Sequence, residues 1–129
     1  MEIAVHDAIS PVDGRYRKVT ELLTPYFSEA GLIRYRVRVE AAYLVALCKI
    51  PLPPLKDLSP AVLKTLEALA ADATSVDIKA VKNLESVTNH DVKAVEYWLK
   101  SRFETNAELK ASGEFVHFAC TSEDINNTS

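Results

Sequence analysis

A chain of 129 residues, 48% hydrophobic and 26% charged, has the size and composition of one ordinary globular domain or of a piece of a larger protein. Its net charge of −3 offers no broad basic surface, which argues against nucleic acid or an anionic membrane as partner. Cys48 and Cys120 are its two cysteines; they lie in no C-x-x-C or metal-ligand spacing and read as buried thiols of a reducing compartment.

The first residues, Met1 to Asp7, lack the basic start and apolar run of a signal peptide. No apolar stretch is long enough to span a bilayer, so a cytoplasmic location is expected. Ser10-Pro11-Val12-Asp13-Gly14-Arg15-Tyr16 is dense in turn chemistry. Pro11 sets one φ, Asp13 can bond back to the backbone and Gly14 permits a positive φ. Arg15 and Tyr16 follow at once. An Arg held by a rigid turn makes a good clamp for phosphate or carboxylate, because its fork is planar and bidentate. The same residues would serve equally as a plain surface turn.

Val19, Leu22, Leu23 and Phe27 share a helical face, interrupted by Pro25. Gly31 is expected to break the chain before a long run from Leu32 to Ile50. Arg34, Arg36 and Arg38 alternate with apolar residues, a strand period, but the Ala/Leu-rich continuation favours one helix. On that helix Arg34 and Arg38 stand one turn apart as a solvated basic edge. Pro51 to Pro54 make a stiff connector. Ser59-Pro60 opens a further helix, cap then Pro, running to about Ala73. Residues 74–77 break it, and Ile78, Val81 and Leu84 announce another.

That helix leads into Thr88-Asn89-His90-Asp91. Thr88 and Asp91 fit a T-x-x-D helix start, related to the capping box. Val92, Val95, Leu99 and Phe103 follow at steps of three and four, and Glu96 precedes Lys100 by four. The pattern predicts a helix that presents Asn89, His90 and Asp91 at its positive end, where an anion can be held. A lone His beside a cap is more often an ordinary hydrogen-bonded residue. Beyond Ala111-Ser112-Gly113, the segment Glu114 to Cys120 is apolar and aromatic and is expected to be buried, with His117 as a hydrogen-bonded core histidine. Thr121 and Asp124 repeat the T-x-x-D start. The final helix would be barely two turns long by Ser129, too short to stand alone, so the chain is expected to be the front part of a longer protein.

Three stretches carry a family resemblance: residues 10–16, residues 88–97 and His117-Phe118-Ala119-Cys120-Thr121-Ser122-Glu123-Asp124-Ile125-Asn126-Asn127. In order and spacing they closely resemble the bacterial adenylosuccinate lyases of the fumarase/aspartase superfamily. The resemblance implies an all-α fold, with residues 1–129 as an N-terminal helical domain whose last helix leads into a central bundle. It implies elimination of fumarate from adenylosuccinate and from the succinylated carboxamide intermediate of purine synthesis. It implies a homotetramer, a small anionic substrate, and no metal or organic cofactor. By motif, Arg15 and Tyr16 would meet the phosphate end. Asn89, His90 and Asp91 would line the site, with His90 in an auxiliary catalytic role that orients or polarises the substrate. Thr121 and Ser122 would bind a succinyl carboxylate. The family's general acid, a second His, and its general base, a Ser on a mobile loop, match no position in this chain, so the chain alone is expected to be inactive. Lys93, Glu85 and His117 have no role by this reading. The rival expectations are another fumarate-releasing lyase, such as an argininosuccinate lyase, and a non-catalytic helical interaction module.

Overall fold

The computed structural model describes residues 4–50 and 52–129, and every regular element among them is helical. The all-α expectation holds. By their internal contacts the residues form two compact units, Met1–Leu32 and Ile33–Ser129.

In the first unit, the Ser10–Tyr16 turn is closed by its own backbone. Asp13 and Gly14 N–H both donate to Ser10 O (3.1 and 2.9 Å), and Tyr16 N–H donates to Pro11 O at 2.9 Å. Gly14 does not take the expected positive φ; it is required by space. A Cβ there would stand 2.6 Å from Val5 O, closer than a side chain tolerates, and 3.0 Å from Ala8 Cβ. The expected short helix is three pieces: α1 (Arg17–Thr20), a 3-10 turn (Glu21–Leu23) and α2 (Thr24–Phe27), with Pro25 in the first turn of α2. None of the three buries a residue.

Gly31 does not break the chain. It lies inside α3 (Glu29–Cys48), which starts earlier than expected. Its role is smallness: a Cβ would come within 2.7 Å of Pro25 O.

The second unit takes α3 from Ile33 onward. Ile33, Val37, Leu44 and Val45 are buried at helical spacing, which settles the strand-or-helix ambiguity. Arg36 falls on that buried side. Arg34 and Arg38 are half-buried instead of forming a solvated edge, and Arg38 Nε donates to Ala70 O at 3.0 Å.

After the connector come α4 (Pro60–Ala71), capped by Ser59, and α5 (Ile78–Thr88), capped by Asp77, whose carboxylate accepts from Ala80 N–H at 3.0 Å. Then follow α6 (Asp91–Phe103), α7 (Ala107–Ala111), a 3-10 turn (Gly113–Phe115) and α8 (Ser122–Thr128). The core joins Val62 and Leu66 of α4, Val81 of α5 and Val95, Leu99 and Phe103 of α6 to the buried face of α3. Each such side chain contributes roughly 1.5–3 kcal/mol by leaving water.

The segment 114–120 is less buried than its composition predicts. Val116 is buried, but Phe118 is 47% exposed and the backbone turns through left-handed φ at His117 (60°) and Ala119 (58°). Cys48 and Cys120 are free and half-buried. Among the described residues no helix is long and apolar enough to cross a membrane.

Candidate functional site

The helix start at α6 is built differently from the T-x-x-D pattern. Thr88 is not its cap; it is the last residue of α5. Asn89 ends α5 in the left-handed region (φ 52°), a conformation Asn tolerates better than most residues. His90 is the cap: its Nδ1 accepts the Lys93 N–H at 3.1 Å. A ring nitrogen that accepts carries no proton, so the neutral His90 imidazole holds its proton on Nε2.

At α8 the expected pattern is present in full. Thr121 Oγ1 accepts from Asp124 N–H (3.4 Å), and Asp124 Oδ2 accepts from Thr121 N–H (2.6 Å) and from its hydroxyl (2.9 Å). The N–H of Thr121 first, and then its hydroxyl, hold the Asp124 carboxyl below the ordinary range.

The two starts meet. His90 Nε2 lies 3.4 Å from Ser122 Oγ, so the ring N–H donates to the hydroxyl and leaves the hydroxyl proton free to donate onward. Behind this pair stands Arg36 of α3, 5% exposed. Its Nη2 donates to Asp91 Oδ2 at 2.6 Å and its Nε to Asn126 Oδ1 at 2.9 Å. Asp91 Oδ1 accepts the Val92 N–H at 2.8 Å. Burial pushes the Asp91 carboxyl up, but the Val92 N–H and Arg36 outweigh it, and its pKa lies below the usual value. Both Asp91 oxygens and both Thr121 donors are thus engaged within the protein. Ser122 keeps its hydroxyl proton for an external anion, and the single His90 N–H is held only by the weak 3.4 Å contact to that hydroxyl.

A second pair was not singled out by sequence reading. Glu40 of α3, with its side chain wholly buried, lies 2.6 Å from His117 Nδ1 through Oε1. Its other oxygen is buried and unbonded. Burial drives the Glu40 carboxyl above its ordinary range, and His117 pulls it back only in part. Tyr43, one turn on, donates to Phe118 O at 2.9 Å, so α3 grips the link that precedes Thr121 at two places.

Lys93 and Lys100 flank the buried Glu96, at 2.8 Å from Oε2 and 3.0 Å from Oε1. Lys93 lies out of line for a hydrogen bond to Oε2. Burial raises the Glu96 carboxyl, yet the two ammonium groups bring its pKa below the usual value. Glu85 accepts from Lys82 at 2.7 Å. Lys93, Glu85 and His117 therefore each have a structural partner.

Arg15 and Tyr16 belong to the first unit. Both are exposed, and the Arg15 guanidinium stacks 4.7 Å above the Tyr16 ring. In the second unit the structure brings His90, Asp91 and Ser122 together, with Thr121 beside Ser122 and Asn89 beside His90. A groove of about 740 Å³, lined by Tyr35, Arg38, Tyr43, Cys120 and Asp124 among others, includes none of these five. Among the described residues no group of three or more His, Cys, Asp or Glu side chains could hold a metal ion.

Comparison with known proteins bears on this geometry. The chain is 47% identical over 130 aligned residues to adenylosuccinate lyase of Vibrio cholerae, covering all of this chain and 28% of that protein. It is 44% identical to the adenylosuccinate lyase of Escherichia coli strain K12 over 100% of the chain, and 44% identical to that of Legionella pneumophila over 98%. The chain thus spans 28% of the length of these curated relatives. A family model described as Lyase matches residues 14–129, from the tight glycine of the first turn to the last residue of the chain. The chain belongs to this lyase family.

Proposed function

We propose that the chain carries part of the active site of an adenylosuccinate lyase, as the N-terminal helical domain of the longer enzyme. The observation that carries this reading is the meeting of His90 and Ser122 at adjoining helix starts, in a chain 47% identical to an enzyme of that name. In the reaction, a base removes a proton from the carbon beside a succinyl carboxylate. The bond from carbon to the purine amine then breaks, the nitrogen takes a proton from an acid, and fumarate and AMP result. The carbanion formed on the way spreads its charge into the carboxylate, which needs donors placed for that charge. The Ser122 hydroxyl is such a donor, polarised by the His90 ring N–H that donates to its oxygen, with Asn89 at the rim. Thr121 and Asp91 serve mainly by holding the two helix starts, because their polar atoms are already bonded. Arg15 and Tyr16 take the phosphate end. The remaining acid and base, and the homotetrameric assembly, belong to the full-length enzyme in the cytoplasm, with no metal or organic cofactor. The succinylated carboxamide intermediate, which has the same leaving chemistry, is the second substrate.

Residue-resolved NMR of the labelled chain during titration with adenylosuccinate tests the site. Shifts gathered at His90 and Ser122, with Arg15 and Tyr16, are expected. An absence of shifts at all four, both in this chain and in the full-length enzyme, overturns the assignment. Absorbance assays at high protein concentration should show no fumarate release by the chain alone; clear turnover would refute the division of labour.

A further inference from the structure

His90 and Ser122 sit on different helices, 32 residues apart, and make one weak contact of 3.4 Å. Such a contact does not hold two helices in place; something stiffer must set it. One buried side chain bonds strongly to both helices, at the start of α6 and one turn into α8. Arg36 is buried on α3, and its fork binds Asp91, the first residue of α6, and Asn126, within α8. We propose that Arg36 is the positioning residue of the His90–Ser122 pair: its Nη2 fixes α6 through Asp91, its Nε fixes α8 through Asn126, and the rigid fork sets the distance between the imidazole N–H and the serine hydroxyl.

The chemistry favours this over a plain ion pair. A guanidinium is planar, and its Nε and Nη2 donors hold a fixed separation and direction. Two acceptors on separate helices are thereby held in fixed relation to one another. A Lys ammonium is a point charge on a flexible stem and would keep Asp91 without fixing Asn126. Asp91 is also bound through its other oxygen to the Val92 N–H, so the fork acts on the helix backbone and not on a free side chain. The next residue back is His90, whose Nδ1 is tied to Lys93 N–H, so the ring follows the helix start. On the other side, Asn126 lies four residues from Ser122, one helical turn, so a pull on Asn126 moves the serine with it. The His90 ring also touches both helices, through Lys93 N–H and Ser122 Oγ, but its reach to α8 is the weak 3.4 Å contact itself, whereas both bonds of Arg36 are 2.9 Å or shorter.

The inference rests on the reading of His90 and Ser122 as site residues, but its test needs no substrate. The measurement is the nuclear Overhauser contact between the His90 ring protons and the Ser122 β-protons, read with the ¹⁵N shifts of the ring. In Arg36→Lys and in Asn126→Ala the contact should be lost and the His90 Nε2 signal should move. The Lys93 N–H bond to Nδ1 should stay. Asn126→Asp keeps an acceptor oxygen and should restore the contact. Persistence of the contact in folded Arg36→Lys or in Asn126→Ala overturns the proposal, as does its loss in Asn126→Asp. If Arg36→Lys does not fold, the two Asn126 variants decide alone. A failed clamp leaves the substrate-induced shifts intact, whereas a failed site assignment leaves the His90–Ser122 contact intact.

Discussion

The starts of α6 and α8 carry the same T-x-x-D signature and are built in opposite ways. At α8, Thr121 and Asp124 satisfy each other within four residues, and the box is exposed and self-contained. At α6, the preceding helix runs on through Thr88, so the cap falls to His90 and the carboxylate of Asp91 turns inward to a buried Arg36. A local pattern specifies a helix start only where the chain before it is free to leave the helix. Where another helix arrives first, tertiary partners decide. The difference has a chemical result: the α8 threonine spends its donors on the cap, while the α6 histidine spends one nitrogen on the cap and turns the other to Ser122.

Four substitutions sharpen this contrast, and the largest effect is expected at Asp91. Asp91→Ala leaves the Arg36 guanidinium buried beside Asn126 alone. Breaking a fully buried pair costs roughly 3–5 kcal/mol; with Asp91 half-exposed, a loss of about 2 kcal/mol is expected in urea unfolding. A loss under about 0.5 kcal/mol would mean that the α6 start is as self-sufficient as that of α8. Thr121→Ala removes a complete capping box and should cost about 1 kcal/mol in the same experiment, with the α6 signals undisturbed. His90→Ala should cost less, about 0.5 kcal/mol, because imidazole is a weaker cap. Replacement by Asn separates the two jobs of that residue. His90→Asn should hold stability, since Asn caps well, yet abolish the adenylosuccinate-induced shift at Ser122. Unchanged substrate shifts would show that the Nε2 proton takes no part.

The smallest effect is expected on acidification. The Asp91 and Asp124 carboxyls both have folded-state pKa values below the ordinary 3.8. For a lowered pKa, the contribution is fully present above 3.8 and is lost as pH falls below it through the folded-state value. The parent chain should therefore lose melting temperature below that pH more steeply than Asp124→Asn, by a small margin because Asp124 is exposed. Equal slopes would remove the box from the pH response.

What could be read from the sequence divides along the same line. The α8 box, the Ser59-Pro60 opening and the Val92–Phe103 face are local patterns, and each appears as expected. Arg36 was passed over because its partners lie 55 and 90 residues away, and nothing in an alternating Arg run marks which guanidinium faces inward. The Glu40–His117 pair spans 77 residues and was equally invisible, although a His at an apolar segment suggested some hydrogen bond. Gly31 is ambiguous in sequence because glycine signals freedom and smallness alike, and only the nearby Pro25 carbonyl tells which is needed. In the 114–120 segment aromatic content predicts burial, whereas the backbone takes left-handed turns at His117 and Ala119 and Phe118 is exposed.

The corner between α5 and α6 consists of Asn89 and His90 alone, and the two helices it joins pack against each other. A joint that short has no slack, so the direction of the His90 ring is geared to the rotation of α5. Adding or removing one residue within α5 would turn the corner by about 100° about that helix axis. The apolar face of α5 and the aim of the histidine could not then both be kept. A one-residue insertion or deletion in α5 would therefore break the His90–Ser122 contact along with the packing of α5 on α6.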